Sequence, residues 1–363
     1  MKKNFLLLIA TFMGLIFAAF FLPGTKQPAQ GSPEGLQQPS VRTQTMVLED
    51  SRDSVLQIPG EEKIEETKNG ENLPPLYIDA LRSRDYPASP LLIEETLDPG
   101  ENYQRHIASF QSDGSKVYGL LTIPEGEMPE GGFPAILFLH GYIPPDSYVT
   151  TADYVATQDG LARSGFVTFK PDMRGHGRSE GTATGAHFSE TYIVDALNAL
   201  SSMETFYGIN PERIGQWGHS NGGLIGLRVA VVTDRVRASV FWGGVVGSYE
   251  DMLETYFPRI DFLQRLAPAV VEEYGLPSEN REYWDRIDPF RYLDDITSPI
   301  QLHHGTSDDS VPSELSESLG DALAGAGKEA ELYLYEGAGH NLYDDAFSLA
   351  MSRTVAFFNT HLE

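Results

Sequence analysis

A serine, an aspartate and a histidine each follow an apolar run of the sequence, and together these residue types carry out nucleophilic acyl transfer in many enzymes. Ser220 follows "RIGQWGH", Asp308 follows "IQLHHGTS" and His340 follows "LYLYEGAG". A serine hydroxyl is a weak nucleophile, and a neighbouring imidazole activates it by taking its proton. A carboxylate fixes the imidazole tautomer and stabilises its cation. The three residues therefore predict a catalytic triad and a covalent acyl-enzyme.

Small residues surround Ser220 at the junction between a strand-like run and a helix-like run. Gly218 and His219 precede the serine, and Gly222 and Gly223 follow it one residue later. A nucleophile held above a sheet needs a strained turn with small neighbours, because the strand and the next helix approach closely there. The glycines are therefore predicted to build a nucleophile turn, and His219 is expected to help shape it.

Two backbone segments are candidates for the oxyanion hole of such a site. Backbone N–H groups that hold the developing oxyanion contribute about 3 kcal/mol each. Asn221, the residue after the nucleophile, is predicted to supply one donor. The segment Gly141–Tyr142, at the end of the run "LFLHGY", is predicted to supply the second. Tyr142 is a candidate through its backbone amide or through its phenol.

Composition excludes several other kinds of site. The chain has 52 acidic and 26 basic residues, a net charge of -26 that would repel nucleic-acid phosphates. It contains no cysteine, and no clustered histidine spacing of a metalloenzyme is present. No metal, no cofactor and no nucleic-acid partner are therefore predicted. His303 and His304 lie within or at the end of a predicted strand, and we expect them to be structural.

Strands alternate with helices from about Leu91 onward, and this order predicts the elements that position the site. The run "AILFL" in "FPAILFLHG" is typical of a parallel strand buried on both faces. Amphipathic segments of helical length separate such runs, which predicts an α/β fold with a mostly parallel central sheet and helices on both faces. The order serine, aspartate, histidine is that of the α/β-hydrolase fold, whose sites lie at the carboxyl ends of strands.

A longer segment, about residues 248–297, separates the strands "ASVFWGG" and "IQLHHG" and is predicted to be a helical insert. It is rich in aromatic residues: Tyr249, Tyr256, Phe257, Phe262, Tyr274, Tyr283 and Trp284. Ligand pockets are usually apolar and aromatic, so the insert is expected to border the active site. The alternative is that these side chains simply bury the insert on the domain.

The N-terminal part of the chain predicts export. Lys2 and Lys3 precede the uncharged apolar run Phe5 to Leu22, so residues 1–24 are either an uncleaved signal anchor or a cleaved signal peptide. The basic side should stay in the cytoplasm. Residues 25–90 are polar and rich in Pro, Gly and Gln, which favours a flexible stalk. The domain 91–363 is therefore expected outside the cytoplasm, anchored to the membrane through the N-terminal helix or secreted.

Three longer stretches carry a resemblance to a known family. The runs "INPERIGQWGHSNGG", "SPIQLHHGTSDDSVP" and "LYLYEGAGHNL" resemble the nucleophile, acid and histidine segments of the prolyl oligopeptidase family of serine peptidases, across about Glu94 to Glu363. In that family the acid stands three residues before a valine, which implies Asp308 before Val311 rather than the adjacent Asp309. The resemblance implies a small peptide substrate. Because single-domain relatives include carboxylesterases, a small ester is the alternative.

Overall fold

A nine-stranded sheet is the central feature of the part of the chain that the computed structural model describes, residues 65–66 and 72–363. A separate two-stranded antiparallel pair precedes it, made by β1 (Glu65–Glu66) and β2 (Asn72–Leu73). The strands of the large sheet are β3 (Leu92–Leu97), β4 (Tyr103–Ser112), β5 (Ser115–Pro124), β6 (Phe133–Leu139), β7 (Val167–Pro171), β8 (Ile209–His219), β9 (Ser239–Trp242), β10 (Ile300–Gly305) and β11 (Ala330–Tyr335).

The sheet is mostly parallel, as the sequence predicts. Its spatial order is β11-β10-β9-β8-β6-β7-β5-β4-β3. The six strands from β6 to β11 pair in parallel, and β5, β4 and β3 add an antiparallel edge. The carboxyl ends of β8, β9 and β10 therefore meet at one edge of the sheet, where sites of this architecture lie.

Helices cover both faces of the sheet, which confirms the α/β class. They are α1 (Ile78–Ser83), α2 (Val155–Arg163), α3 (Thr191–Glu204), α4 (Asn221–Val232), α5 (Tyr249–Asp251), α6 (Asp261–Tyr274), α7 (Arg281–Ile287), α8 (Ser313–Gly325) and α9 (Asp344–His361). Along β6, Leu137 belongs to the hydrophobic core under α3, α4 and α8, whereas Phe138 belongs to the core under α2 and α9. Successive strand residues point to opposite faces, so one apolar run supplies both cores.

The insert between β9 and β10 is helical, and most of its aromatic side chains are buried. Between α5 and α6 lie a π-helical turn, Met252–Tyr256, and a 3-10 turn, Phe257–Arg259; a longer 3-10 segment, Pro289–Asp295, follows α7. The buried aromatic residues are Tyr249, Tyr256, Phe257, Tyr283 and Trp284. The Arg228 side chain on α4 donates a hydrogen bond to the Tyr249 hydroxyl. These aromatic residues thus fasten the insert to the domain, and the expectation that the insert borders the active site stays a prediction.

The end of the predicted stalk is not flexible but part of the folded domain. Leu76, Ile78 and Leu81, around α1, are buried in the larger core. The Arg82 guanidinium donates from Nε to the backbone oxygen of Val231 at 2.9 Å. The stalk prediction for residues 25–90 is therefore wrong at its C-terminal end, because three apolar side chains there supply enough surface to dock a short helix.

The other N-terminal predictions concern residues that lie outside those described. These are the signal anchor or signal peptide of residues 1–24 and most of the stalk. Among the described residues, none of the helices combines the length and the apolar character that a bilayer crossing requires.

Candidate active site

Ser220 occupies a strained turn between β8 and α4. Its φ of 55° and ψ of -120° lie outside the regions that residues with a side chain normally adopt. Such strain costs on the order of 1–3 kcal/mol and persists only where the surroundings hold it. Here the Ser220 amide donates to the oxygen of Trp242 at 3.1 Å, and its own oxygen accepts from Val245 at 3.0 Å. The turn is thereby fastened to the end of β9.

The glycines around the serine are required by close backbone approaches. A Cβ atom on Gly218 would lie 2.5 Å from the backbone oxygen of Gly222. One on Gly222 would lie 1.9 Å from the oxygen of Leu139, and one on Gly223 would lie 2.7 Å from the Cα of Gly244. Real Cβ atoms do not come so near to backbone atoms, so any larger residue at these positions would displace α4 or its neighbouring strands.

Asp308 and His340 lie together at the ends of β10 and β11. The Nδ1 atom of His340 is 2.7 Å from Oδ2 of Asp308. The other carboxylate oxygen accepts from the amides of Ser310 at 2.9 Å and Val311 at 2.8 Å. Asp309 is exposed, and its carboxylate accepts a hydrogen bond from the Ser310 hydroxyl. The geometry thus brings the first of the two adjacent aspartates, not the second, to the histidine.

His304 is a second partner of the same carboxylate, although its position within or at the end of a strand predicts only a structural role. Its Nε2 atom lies 3.2 Å from Oδ2 of Asp308, and its Nδ1 atom lies 2.7 Å from the hydroxyl of Ser316. Burial acts to raise the pKa of Asp308, but hydrogen bonds from His304 and His340 outweigh it and hold that pKa well below its usual range. The carboxylate is therefore ionised at neutral pH.

The end of β9 lies against both the serine turn and the acid–histidine pair. A Cβ atom on Gly243, which has a φ of 49°, would lie 3.2 Å from Nδ1 of His340 and 3.4 Å from Oδ2 of Asp308. The preceding residue, Trp242, binds the Ser220 amide. His219, next to the serine, places its Nε2 atom 3.1 Å from the backbone oxygen of His340. The three residues predicted to form the triad are therefore gathered around one strand end.

The two backbone segments predicted to form the oxyanion hole lie next to Ser220. Asn221 begins α4, and the first N–H groups of a helix have no intrahelical acceptor and carry a partial positive charge. On the other side, a Cβ atom on Gly141 would lie 3.0 Å from the Cβ of Ser220. The Gly141 amide donates to the Tyr154 hydroxyl at 2.9 Å and is therefore already used. The next amide along this segment is that of Tyr142.

The fold and this arrangement define a protein of the α/β-hydrolase class: a strained serine at a glycine-lined strand–helix junction on a mostly parallel sheet. The sequence profile described as the prolyl oligopeptidase family matches residues 153–363, more than half of the chain. The chain belongs to the prolyl oligopeptidase family and is a serine hydrolase.

Two proteins of Bacillus subtilis (strain 168) illustrate the relationship in sequence. The uncharacterized peptidase YtmA is 29% identical over 238 residues, which are 65% of this chain and 86% of YtmA. The uncharacterized peptidase YuxL is 27% identical over 236 residues, which are 63% of this chain but only 34% of YuxL. The chain thus matches most of one relative and about a third of the other.

Solved structures with the same fold include a peptidase and an esterase. Acylaminoacyl peptidase from Pyrococcus horikoshii matches with a TM-score of 0.59 and 23% identity, over 72% of this chain and 42% of that chain. Acetyl xylan esterase from Paenibacillus sp. R4 matches with the same TM-score, 0.59, and 18% identity, over 77% of this chain and 91% of that chain. At these identities the likeness concerns the fold alone.

Proposed function

We propose that the protein is a serine peptidase in which Ser220 is the nucleophile, His340 the general base and Asp308 the residue that orients the base. The observation that carries the proposal is the 2.7 Å contact between His340 Nδ1 and Asp308 Oδ2 beside a serine of positive φ. With Nδ1–H donated to the carboxylate, Nε2 of His340 is the nitrogen that accepts a proton.

The proposed reaction has two halves. The Ser220 oxygen attacks the substrate carbonyl carbon while its proton passes to Nε2 of His340, and the ionised Asp308 stabilises the resulting imidazolium. The amides of Asn221 and Tyr142 hold the oxyanion of the tetrahedral intermediate. As the intermediate collapses, the leaving amine takes the proton from His340 and an acyl-enzyme remains. Water then attacks the acyl-enzyme by the same proton transfers, which releases the acid and restores the serine.

A peptide is the proposed substrate, with a small ester as the alternative. Membership of the prolyl oligopeptidase family and the match over most of the peptidase YtmA support a peptide. The same acyl-enzyme forms from an ester, whose leaving group needs less help from the general acid. The substrate class therefore depends on whether His340 protonates a poor amine leaving group well enough.

Matched substrates test this proposal. An acyl group should be presented once as an amide and once as an ester of otherwise identical structure, and kcat/KM measured for each with the full chain and with Ser220→Ala. A peptidase should hydrolyse both, with Ser220→Ala inactive on both. Hydrolysis of the ester alone would replace the peptidase by an esterase, and turnover by Ser220→Ala would remove the proposed nucleophile.

We further propose that the hydrolase domain lies outside the cytoplasm, on the strength of the basic residues Lys2 and Lys3 before the apolar run from Phe5. If residues 1–24 are an uncleaved anchor, the native protein should sediment with membranes and release an active domain when a protease cuts the following polar segment. If they are a signal peptide, the protein should appear in the medium with residues 1–24 removed. An active cytoplasmic protein with an intact N-terminus would contradict both.

A further inference from the structure

A chain of three hydrogen bonds joins the segments that surround Ser220. The Gly141 amide donates to the Tyr154 hydroxyl at 2.9 Å, and that hydroxyl lies 2.7 Å from Nδ1 of His219. On the other side of the ring, Nε2 of His219 lies 3.1 Å from the backbone oxygen of His340. One end of the chain is thus the proposed oxyanion segment, its middle is the nucleophile turn, and its other end is the loop that carries the proposed base.

The donors and acceptors allow one arrangement of protons. A backbone oxygen only accepts, so Nε2 of His219 must carry a hydrogen to bond His340. A neutral imidazole then has no hydrogen on Nδ1, which must accept from the Tyr154 hydroxyl. That hydroxyl has one hydrogen to give and lone pairs to receive the Gly141 N–H. Burial of His219, with the His340 imidazole nearby, lowers the pKa of His219 to about 3, so the ring stays neutral.

The middle of the chain is held by packing. The ring of His219 stacks on that of Trp217 with an interplanar angle of 10° and a centroid distance of 6.2 Å. The Tyr154 ring packs edge-on against Phe138 at 5.8 Å and Trp217 at 6.1 Å. Tyr154 also has a φ of 62°, a strained conformation for a residue with a side chain. Such strain persists where the surroundings over-determine it, and here it points the hydroxyl between Gly141 and His219.

We propose that Tyr154 and His219 are positioning residues, which hold the oxyanion segment and the backbone of the base in register with the nucleophile through this directed chain. The proposal rests on the proposed function. Fixing the Gly141 peptide fixes the Tyr142 amide that follows it, and fixing the His340 carbonyl fixes the position from which its imidazole reaches Ser220. In this role both residues act on backbone groups and not on the substrate. Their loss should therefore weaken binding of the transition state and leave ground-state binding nearly unchanged.

Another tyrosine of the protein, Tyr335, provides a matched control for removing the Tyr154 hydroxyl. The Tyr335 hydroxyl lies 2.6 Å from Nδ1 of His303 and accepts from Arg353 at 3.3 Å, so it also receives one donor and donates to a histidine. Nε2 of His303 contacts the Gln301 side chain at 2.6 Å, not the loop of His340. Tyr335→Phe thus removes the same kind of hydrogen bond at a place that the proposed mechanism does not use.

Steady-state kinetics of the full chain test the proposal, with concentrations of active sites measured by fluorophosphonate titration. Tyr154→Phe should lower kcat about 10- to 100-fold and change KM by about twofold or less, because small displacements of a reacting constellation have effects of that order. Tyr335→Phe should keep kcat within about twofold. His219→Gln keeps a donor for the His340 oxygen and should retain more kcat than His219→Phe, which keeps only the ring.

The outcomes separate this proposal from the function on which it rests. If kcat per titrated site were the same for Tyr154→Phe as for Tyr335→Phe, positioning by Tyr154 would be excluded while the triad stood. A rise in KM at unchanged kcat would also overturn it. Turnover by Ser220→Ala would instead overturn the proposed function itself.

If the Tyr154 variant does not fold, the tautomer of His219 in the wild-type protein still tests the proposal. In a sample labelled with nitrogen-15 at histidine, the His219 signals, assigned by their loss in His219→Gln, should show a hydrogen on Nε2 and none on Nδ1 from pH 5 to pH 8. The opposite tautomer, or titration of the ring within that range, would overturn the directed chain.

Discussion

Two buried carboxylates lie just beyond the ends of two strands of the same sheet, yet their environments shift their pKa values in opposite directions. Asp308 follows β10 and Asp172 follows β7, and both are largely removed from solvent, at 8% and 0% exposure. Hydrogen bonds from two histidines outweigh burial at Asp308 and hold its pKa well below the usual range. At Asp172 burial prevails and raises the pKa to about 6, in spite of hydrogen bonds from Thr150 and Tyr148.

The difference lies in the donors. Asp308 receives two imidazoles and two backbone amides, whereas Asp172 accepts from the hydroxyls of Tyr148 at 2.8 Å and Thr150 at 2.5 Å. The ammonium of the neighbouring Lys170 donates hydrogen bonds to the backbone oxygens of Thr150 and Asp153. Asp172 and Lys170 thus fasten the segment that leads from Tyr142 to α2. Burial alone therefore does not set the pKa of a carboxylate at a strand end; the number and kind of its hydrogen-bond donors decide the direction of the shift.

The largest effect should come from Asp308→Asn. An amide there would misorient His340 and leave its cation without a countercharge, so kcat/KM should fall by on the order of 10⁴ with folding retained. Kinetics of the purified variant, with circular dichroism as the control for folding, provide the measurement. Activity within tenfold of wild type would show that Asp308 is not the acid of the site.

A smaller loss of activity should follow from His304→Phe, which removes one of the two imidazoles from Asp308. A hydrogen bond to a charged group contributes about 1.5–3 kcal/mol, so kcat should fall about 10- to 100-fold, less than for Asp308→Asn. The pKa of Asp308 should rise toward its usual range, since a donor that lowers it is gone. The titration of the Asp308 carboxyl, followed by carbon-13 NMR of labelled wild type and variant, should therefore move to higher pH; an unmoved titration would speak against His304.

Asp172→Asn should have its main effect on the pH dependence of the unfolding free energy, and a smaller effect on catalytic activity. The folded pKa of about 6 lies above the ordinary value of 3.8 for an aspartate, so the folded state binds the proton more tightly. The contribution of Asp172 to stability is present below about pH 4 and is lost as pH rises through about 6, by up to about 3 kcal/mol. Lys170, with a pKa of about 8, titrates above this window.

The quantity to measure is the difference in unfolding free energy between wild type and Asp172→Asn, by urea titration at pH 4.5 and pH 7. Buried neutral histidines such as His219 produce a slope of opposite sign in this range, but they do so in both proteins. Wild type should therefore lose stability relative to the variant as pH rises. Parallel profiles would show that Asp172 does not carry the raised pKa.

The smallest effect is expected from Asp309→Asn, the neighbour of the proposed acid. Asp309 is exposed and its carboxylate contacts the Ser310 hydroxyl at 3.3 Å. Exposed substitutions of this kind usually change free energies by about 0.5 kcal/mol or less, so kcat/KM should stay within about twofold. A loss comparable to that of Asp308→Asn would place the acid one residue later than the geometry does.

The parts of the site that depend on local sequence were predictable, and the parts that depend on distant contacts were not. The glycines around Ser220 and the strand ends before Asp308 and His340 are features of short stretches, and the alternation of strands and helices predicted the sheet correctly. Tyr154 directly precedes α2 and has no local sequence signal of a role at the site. Its role depends on His219, 65 residues away in the chain.

The docked end of the predicted stalk shows the same limit in the fold. Leu76, Ile78 and Leu81 stand in a polar and proline-rich context, which favoured a flexible segment. Only Ile78 and Leu81, three residues apart, lie on the six-residue helix, and Leu76 precedes it. A helix that short is stable only through its packing, so propensity alone does not reveal it.

Covalent labelling tests most directly whether Ser220 is the nucleophile. The full-length protein should be treated with a fluorophosphonate, digested and mapped by mass spectrometry, beside Ser220→Ala prepared in the same way. We predict a single adduct on Ser220, absent from the variant together with turnover of the matched amide and ester. An adduct on another residue, or labelling and turnover that persist in Ser220→Ala, would show that Ser220 is not the nucleophile.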